Sequence, residues 1–385
     1  MKEISKTAYH DKSAYHEKMP YINGLSLARW HDRLLCPFPL KINPYRGCSH
    51  GCTYCYLEKT RRIKKYPPGV EPAALDQIYK YFNEMDDGKH DSYIHRCLNM
   101  KLPLQVGTST DPFQPVEKEY KNTYKILELL NDYNYPFILI TKGLIPESYF
   151  DLFHNKGVIH YTITTSDEEV RKRIEPGTAT TKEKLEDIQL ISDAGLNLNI
   201  RIWPLIPFIT DPEQLIPILA DMEVSHIVTS MIRLLKYPSF MKKFNDSIHC
   251  DYISLLRRKG WGVVNELDQD MISHPDRIKY HDKLRKITND LGVHYFTPNQ
   301  PSGGPSCCGV DDIFGDVGSW AVKKNFENIE GKTFHEYITP TGCPFPAWFE
   351  RYWDQGKLSE FMVDLGFDEK TKTYFQRNNN QEVLM

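Results

Sequence analysis

Three cysteines, Cys48, Cys52 and Cys55, are spaced C-x3-C-x2-C within the segment Asn43-Pro44-Tyr45-Arg46-Gly47-Cys48-Ser49-His50-Gly51-Cys52-Thr53-Tyr54-Cys55-Tyr56. Three thiolates on one short loop can each take an iron of a cubane [4Fe–4S] cluster, which leaves the fourth iron without a protein ligand. An open metal position is what catalysis needs, because a substrate or cofactor can chelate it. Gly47 and Gly51 let the loop fold tightly enough for the sulfurs to converge. The same residues admit a second reading, a zinc knuckle in which His50 or the distant Cys343 completes a set of four ligands.

The elements that must position this loop follow from the pattern of apolar residues. Short β-branched runs at 40–42, 104–106, 137–140, 158–163, 198–202 and 226–228 alternate with longer amphipathic stretches. Residues 124–130 and 182–194 carry apolar side chains at helical spacing, with Thr181 placed to start the second helix and Gly195 to end it. Six strands alternating with helices predict a parallel sheet with right-handed crossovers. The expected fold is therefore α/β, a partial (β/α)6 barrel. In such barrels the chemistry sits at the C-terminal ends of the strands, and the triad follows the first strand. That position favours a cluster over zinc. Residues 1–35 read as an N-terminal extension, 36–237 as the barrel, and 238–385 as a helical, Cys-rich C-terminal lobe with one further strand at 293–296.

Composition bounds the function. The 385 residues suffice for one large domain with additions, or for two. A formal net charge of −3 argues against a protein built mainly to coat nucleic acid or an anionic membrane, though not against a local basic groove. No apolar run approaches the ~18 residues of a membrane span, and the first residues do not resemble a signal peptide, so a cytoplasmic location is expected. In a reducing compartment, clustered cysteines read as metal or redox groups rather than disulfides. Six of the nine are clustered: the triad, then Cys307, Cys308 and Cys343. Cys36, Cys97 and Cys250 stand alone and read as buried thiols.

Cys48-x3-Cys52-x-Tyr54-Cys55 resembles the signature of the radical S-adenosylmethionine (SAM) superfamily, including the aromatic residue before the third cysteine. The resemblance implies that the open iron is chelated by the amino and carboxylate groups of SAM. It also implies that one electron breaks the sulfonium bond, and that a 5′-deoxyadenosyl radical takes hydrogen from a substrate. Tyr54 would lie beside the adenine. An electron donor such as a flavodoxin or ferredoxin is implied as a partner. Residues 106–112, 140–142, 161–164 and 175–178 follow the order seen in the spore photoproduct lyase-like branch, so the resemblance runs from about residue 40 to 235.

Each of these stretches ends an expected strand. Ser109, Thr110 and Asp111 can exchange hydrogen bonds with an amino-acid carboxylate, an amino group or a ribose. Lys142 suits the SAM carboxylate, a role the resemblance also implies. Thr162 and Thr164 share one face of their strand and, by the same resemblance, approach the methionine and ribose of SAM. Arg201, inside an apolar run, needs an anionic partner if it points inward, and a cofactor carboxylate or a substrate anion would serve. Glu175-Pro176-Gly177-Thr178 reads as a turn that caps the next helix.

The branch's spore lyase carries a hydrogen-donating cysteine near the end of strand two, whereas 106–111 here has none. Cys308, Cys307 or Cys343 could supply such a thiol, bind a second metal, or pack a Gly/Pro-rich lobe. The basic run 61–65, flanked by Tyr56 and Tyr66, could track a phosphate backbone. Three functional readings follow: a radical SAM enzyme acting on a nucleic acid or nucleotide, one acting on a peptide, protein or small metabolite, and a zinc module without chemistry.

Overall fold

The computed structural model describes residues 25–27, 40–55, 69–88, 95, 98–99, 101, 103–153, 157–266, 269–297, 308–314, 367–368 and 373–374. In chain order the elements are β1 (Leu25–Leu27), β2 (Leu40–Ile42), β3 (Tyr45–Arg46), β4 (Glu71–Pro72), α1 (Asp76–Asp86), β5 (Leu104–Val106), α2 (Glu117–Tyr120), α3 (Asn122–Asp132), β6 (Phe137–Thr141), a 3-10 turn (Glu147–Leu152), β7 (Gly157–Thr162), α4 (Glu168–Ile174), α5 (Thr181–Asp193), β8 (Leu198–Leu205), α6 (Pro212–Asp221) and β9 (His226–Met231). Then come β10 (Leu234–Leu235), α7 (Pro238–Ile248), α8 (Tyr252–Arg258), β11 (Val263–Glu266), β12 (Gln269–Ile272), α9 (His274–Asp290), β13 (His294–Phe296), α10 (Asp311–Phe314) and the pair β14 (Phe367–Asp368) and β15 (Thr373–Tyr374).

The main sheet runs β1-β2-β5-β6-β7-β8-β9-β13. All its pairings are parallel except that of β1 with β2, so seven strands share one direction, as the β/α alternation requires. The architecture is the α/β partial barrel expected. Two strands extend it beyond the expected barrel. β1, from the N-terminal extension, closes one edge. β13, which lies past residue 237, pairs with β9 at the other.

Helix termini show why these segments fold locally. Thr180 and Glu183 form a reciprocal capping box at the start of α5, one residue before the expected start. Gly195, at φ +68°, ends the following turn as expected. Asp167 caps α4 by accepting from the Glu169 and Val170 amides. Leu139, Ile159 and Tyr161 pack with Leu127 and Ile188 of the helices in the main core. Ile138 and Val158, on the opposite face by strand alternation, pack against Val310 and Cys308 instead. Among the described residues, no helix is long and apolar enough to cross a membrane.

Candidate active site

The triad loop leaves β2, pairs briefly through β3 with β4, and lies at the C-terminal ends of the parallel strands. Gly47 and Gly51 adopt φ +86° and +63°, the left-handed backbone that their expected role requires. Three supports hold the loop. Gln114 accepts from the Ser49 amide at 3.0 Å and donates to the Gly47 carbonyl at 3.3 Å. Asn122 donates to the carbonyls of Pro44 and Ala73. The Thr53 amide donates to the Ile174 carbonyl at 2.9 Å, and the Thr53 hydroxyl lies 3.0 Å from that of Ser247 on α7.

His50 joins the loop to two other motifs. Its Nδ1 lies 3.0 Å from the Gly177 carbonyl and its Nε2 3.2 Å from Asp111 Oδ2. Burial lowers the imidazole pKa, but the Asp111 carboxylate outweighs it and the net shift is upward. Both ring nitrogens face protein partners, so His50 is placed as a strut and not as the fourth ligand of a zinc knuckle. Among the described residues, no three His, Cys, Asp or Glu side chains gather as they would around a single metal ion. Sulfurs about one zinc stand about 3.8 Å apart, whereas in a cubane each thiolate takes a different iron and the sulfurs spread wider. The three thiols still sense one another electrostatically, and burial pushes the Cys48 thiol up to about 11 and that of Cys52 higher still. A partly buried, three-thiol loop with no fourth ligand among the described residues fits a cubane with one open iron.

The turn at Glu175–Thr178 forms as expected: the Thr178 hydroxyl donates to the Glu175 carbonyl at 3.0 Å, and Arg171 bonds both carbonyls. The cap of the next helix is Thr180 rather than Thr178. What sequence reasoning missed is the Glu175 side chain, which is fully buried and gathers the site. Its Oε1 accepts from Lys142 Nζ at 2.8 Å, from the Thr164 hydroxyl at 2.6 Å and from the Tyr54 hydroxyl, while its Oε2 accepts from Lys184 Nζ at 3.0 Å. Burial raises this carboxyl, but the two ammonium groups and Thr164 hold it well below the usual range. Burial, with Glu175 beside it, raises the Tyr54 phenol. Tyr54, Lys142 and Thr164 are thus brought together, with Lys142 Nζ 5.7 Å from the centre of the Tyr54 ring.

The other expected residues lie around this group. Asp111 accepts from the Phe113 amide, the Thr141 hydroxyl and the Lys142 amide at 2.6–2.9 Å, besides facing His50. Burial opposes its ionisation, but His50 and these donors lower its pKa. Its carboxylate therefore ties strand ends together. The Thr110 hydroxyl donates to the Tyr45 carbonyl, and the Ser109 amide donates to Asn43. Thr162 is buried at the end of β7. The Arg201 guanidinium stacks 4.2 Å from the centre of the Trp203 ring on β8. Cys308 packs beside Ile138 and Val158, and its carbonyl accepts from Asn199. Ile138 stands four residues before Lys142, about 13 Å along the strand, so Cys308 lies toward the end of the sheet away from the triad. Cys307, Cys343 and the run 61–65 with Tyr56 and Tyr66 lie outside the described residues.

A further feature borders the triad. Residues 233–259, which start where β9 ends, hold seven lysines and arginines against two aspartates, in a chain whose net charge is −3. Lys242 and Lys243 on α7 are exposed, as are Arg257, Arg258 and Lys259 at the end of α8. Nearby, Phe208 is 45% exposed, with Trp261 edge-on at 5.1 Å and Lys259 Nζ 5.8 Å above its ring.

Residues 42–216 match the model of the radical SAM superfamily. They belong to that superfamily. Its [4Fe–4S] cluster and SAM are the cofactors that the thiol loop, Tyr54 and Lys142 would hold. The chain is 28% identical over 180 residues to the uncharacterized protein Rv2578c of Mycobacterium tuberculosis, a match covering 46% of this chain and 52% of that one. It is 21% identical over 269 residues to the radical SAM Nalpha-GlyT isomerase of Pseudomonas phage M6, covering 66% and 52%. The matches thus span about half the length of these relatives. A mutant spore photoproduct lyase with AdoMet and a dinucleoside spore photoproduct bound shares the fold, with a TM-score of 0.51 at 16% identity, over 69% of this chain and 79% of that one.

Proposed function

We propose that this radical SAM protein acts on a nucleic acid or nucleotide. The observation that carries the reading is the basic lobe at 233–259. A polyanion is the ligand such a surface recruits, and the lobe touches the triad loop through Thr53 and Ser247. Phe208, exposed three residues past the end of β8 and flanked by Trp261 and Lys259, offers a face on which a base can stack. The dinucleoside ligand of the lyase agrees with this reading.

Bound at the triad, the cluster and SAM supply one-electron cleavage of a sulfonium bond and a radical that takes hydrogen from a substrate. The chain's own part is to position. Cys48, Cys52 and Cys55 would hold three irons. Lys142, fixed by Glu175, Thr164 and the Trp203 carbonyl, presents a cation to the SAM carboxylate. Tyr54, fixed by Glu175, offers a ring to the adenine. Arg201, stacked on Trp203, offers a guanidinium to an anionic substrate group. The electron would come from a flavodoxin or ferredoxin.

The test is binding of labelled single- and double-stranded oligonucleotides to anaerobically loaded protein across a salt series. The reading expects log K to fall with log salt with a slope of about −3, as for about three phosphate contacts on a duplex or about four on a single strand. It also expects the charge reversal Lys242→Glu/Lys243→Glu to flatten that slope. No binding of either at low salt would instead favour a peptide or a small metabolite as substrate.

A further inference from the structure

α5 is amphipathic, and its buried positions are Thr181, Lys184, Asp187, Ile188 and Ile191. A lysine at such a position needs a reason, because an apolar side chain there would bury surface at no electrostatic cost. Lys184 is 1% exposed, and burial lowers its pKa against the pull of Glu175. A buried cation is tolerated only with a partner, and its partner is Glu175, itself fully buried. That carboxylate also carries Lys142. Two ammonium groups against one carboxylate leave a net charge of +1. Of the three side chains only Lys142 reaches outward, at 17% exposed.

The carboxylate divides its work. Oε2 serves Lys184, and Oε1 serves the site, taking Lys142, Thr164 and Tyr54. Without Lys184, Lys142 and Glu175 would form a neutral pair, and the site would offer an anion little attraction. Without Glu175, two cations would share one buried space.

We propose that Glu175 and Lys184 are positioning residues that set the charge of the cofactor site: Lys184 neutralises Glu175 from behind, so that Lys142 keeps one uncompensated positive charge for the carboxylate of SAM. This rests on Lys142 as the lysine that meets SAM.

The experiment measures SAM dissociation constants on anaerobically loaded protein of verified iron content, by titration of the reduced cluster's paramagnetic signal. Lys184→Met is expected to weaken SAM about tenfold, since removing one charge roughly 10 Å away, across the Glu175 carboxylate and Lys142, at an effective dielectric of about 20 has that order of effect. Glu175→Gln is expected to weaken it as well. The double variant Lys184→Met/Glu175→Gln restores the net charge of +1 and should bind within about threefold of the native protein. Lys184→Met would thus be harmful alone and beneficial beside Glu175→Gln, which a purely space-filling lysine would not produce for SAM affinity. If Lys184→Met fails to accumulate, Glu175→Gln and the double variant carry the same comparison. A double variant that binds SAM more weakly than Glu175→Gln overturns the proposal, as does Lys184→Met binding with native affinity. Lys142→Met separates the two readings. Native affinity there removes the cofactor lysine itself, and this proposal with it. Loss there beside native affinity in Lys184→Met removes only the charge-setting role. As a second readout, the cluster midpoint potential in Lys184→Met should move negative, because the reduced cluster loses a nearby cation.

Discussion

Gly177 is where the turn after α4 meets the triad loop, and one methyl group there should damage the site without removing a ligand. The Gly177 amide donates to the His50 carbonyl at 2.9 Å, and its own carbonyl meets the His50 ring. A Cβ at Gly177 would stand 2.5 Å from the Ser49 carbonyl oxygen and 2.9 Å from both Cα and O of His50. These are backbone atoms, so no rotamer change can relieve the clash. The turn and the loop must separate by about 0.5 Å or more, at a cost of about 1–3 kcal/mol typical of overpacking. Gly177 is not among the glycines of positive φ, so the effect is steric and not conformational. A shift of that size exceeds what a preorganised site tolerates, so cluster retention and SAM binding should both fall, the latter about tenfold. The assay is iron and sulfide per chain, SAM affinity, and thermal unfolding of Gly177→Ala. Gly195→Ala is the control: Gly195 has φ +68° and nothing within 4 Å of its Cβ position. It should lose about 1–2 kcal/mol to left-handed strain and keep full iron content. Native iron content and native SAM affinity in Gly177→Ala would refute the reasoning that the turn buttresses the triad.

Further outcomes are expected. Cys52→Ala should lose cluster assembly and SAM cleavage together, read as iron content and 5′-deoxyadenosine formation. Full activity would sink the ligand assignment. Glu117 is buried and accepts from the hydroxyls of Tyr45 and Tyr149 and from the amides of Thr123 and Tyr124. Glu117→Ala leaves several buried donors without an acceptor and should cost about 3–5 kcal/mol in denaturant unfolding, against no change if water fills the gap. His281 is buried with Nδ1 2.7 Å from the Tyr295 hydroxyl, and burial, with Arg285 and Arg277 nearby, lowers it to about 4. The unfolded chain then takes up this proton first as pH falls from about 6.5 to about 4. Stability should drop by about 3 kcal/mol over that window, and His281→Asn should lack that part of the slope. Equal slopes in the two proteins would show that His281 titrates normally.

The parts of the site that were legible in sequence are those whose signal is local. The triad spacing lies within one loop, strand alternation needs only neighbours, and the lysine and threonines at strand ends follow from the barrel rule. The hub was hidden because its members are far apart in the chain. Tyr54, Lys142, Thr164 and Lys184 converge on Glu175 from the triad loop, from just past β6, from just past β7 and from α5. A turn motif such as Glu-Pro-Gly-Thr reads as backbone geometry, and nothing in it says that the carboxylate points inward. β13 was separated from the barrel for a similar reason: three residues after a long helix carry no sign of which sheet they join until β9 is there to receive them. One clue was present. On α5 the positions three and four apart that should be apolar include Lys184, and a charge on an apolar stripe announces a buried partner before any partner is known. A buried charge in the apolar stripe of a helix is therefore a sequence-level pointer to a long-range polar site. In this chain it leads from α5 through Glu175 to the residue beside Cys55.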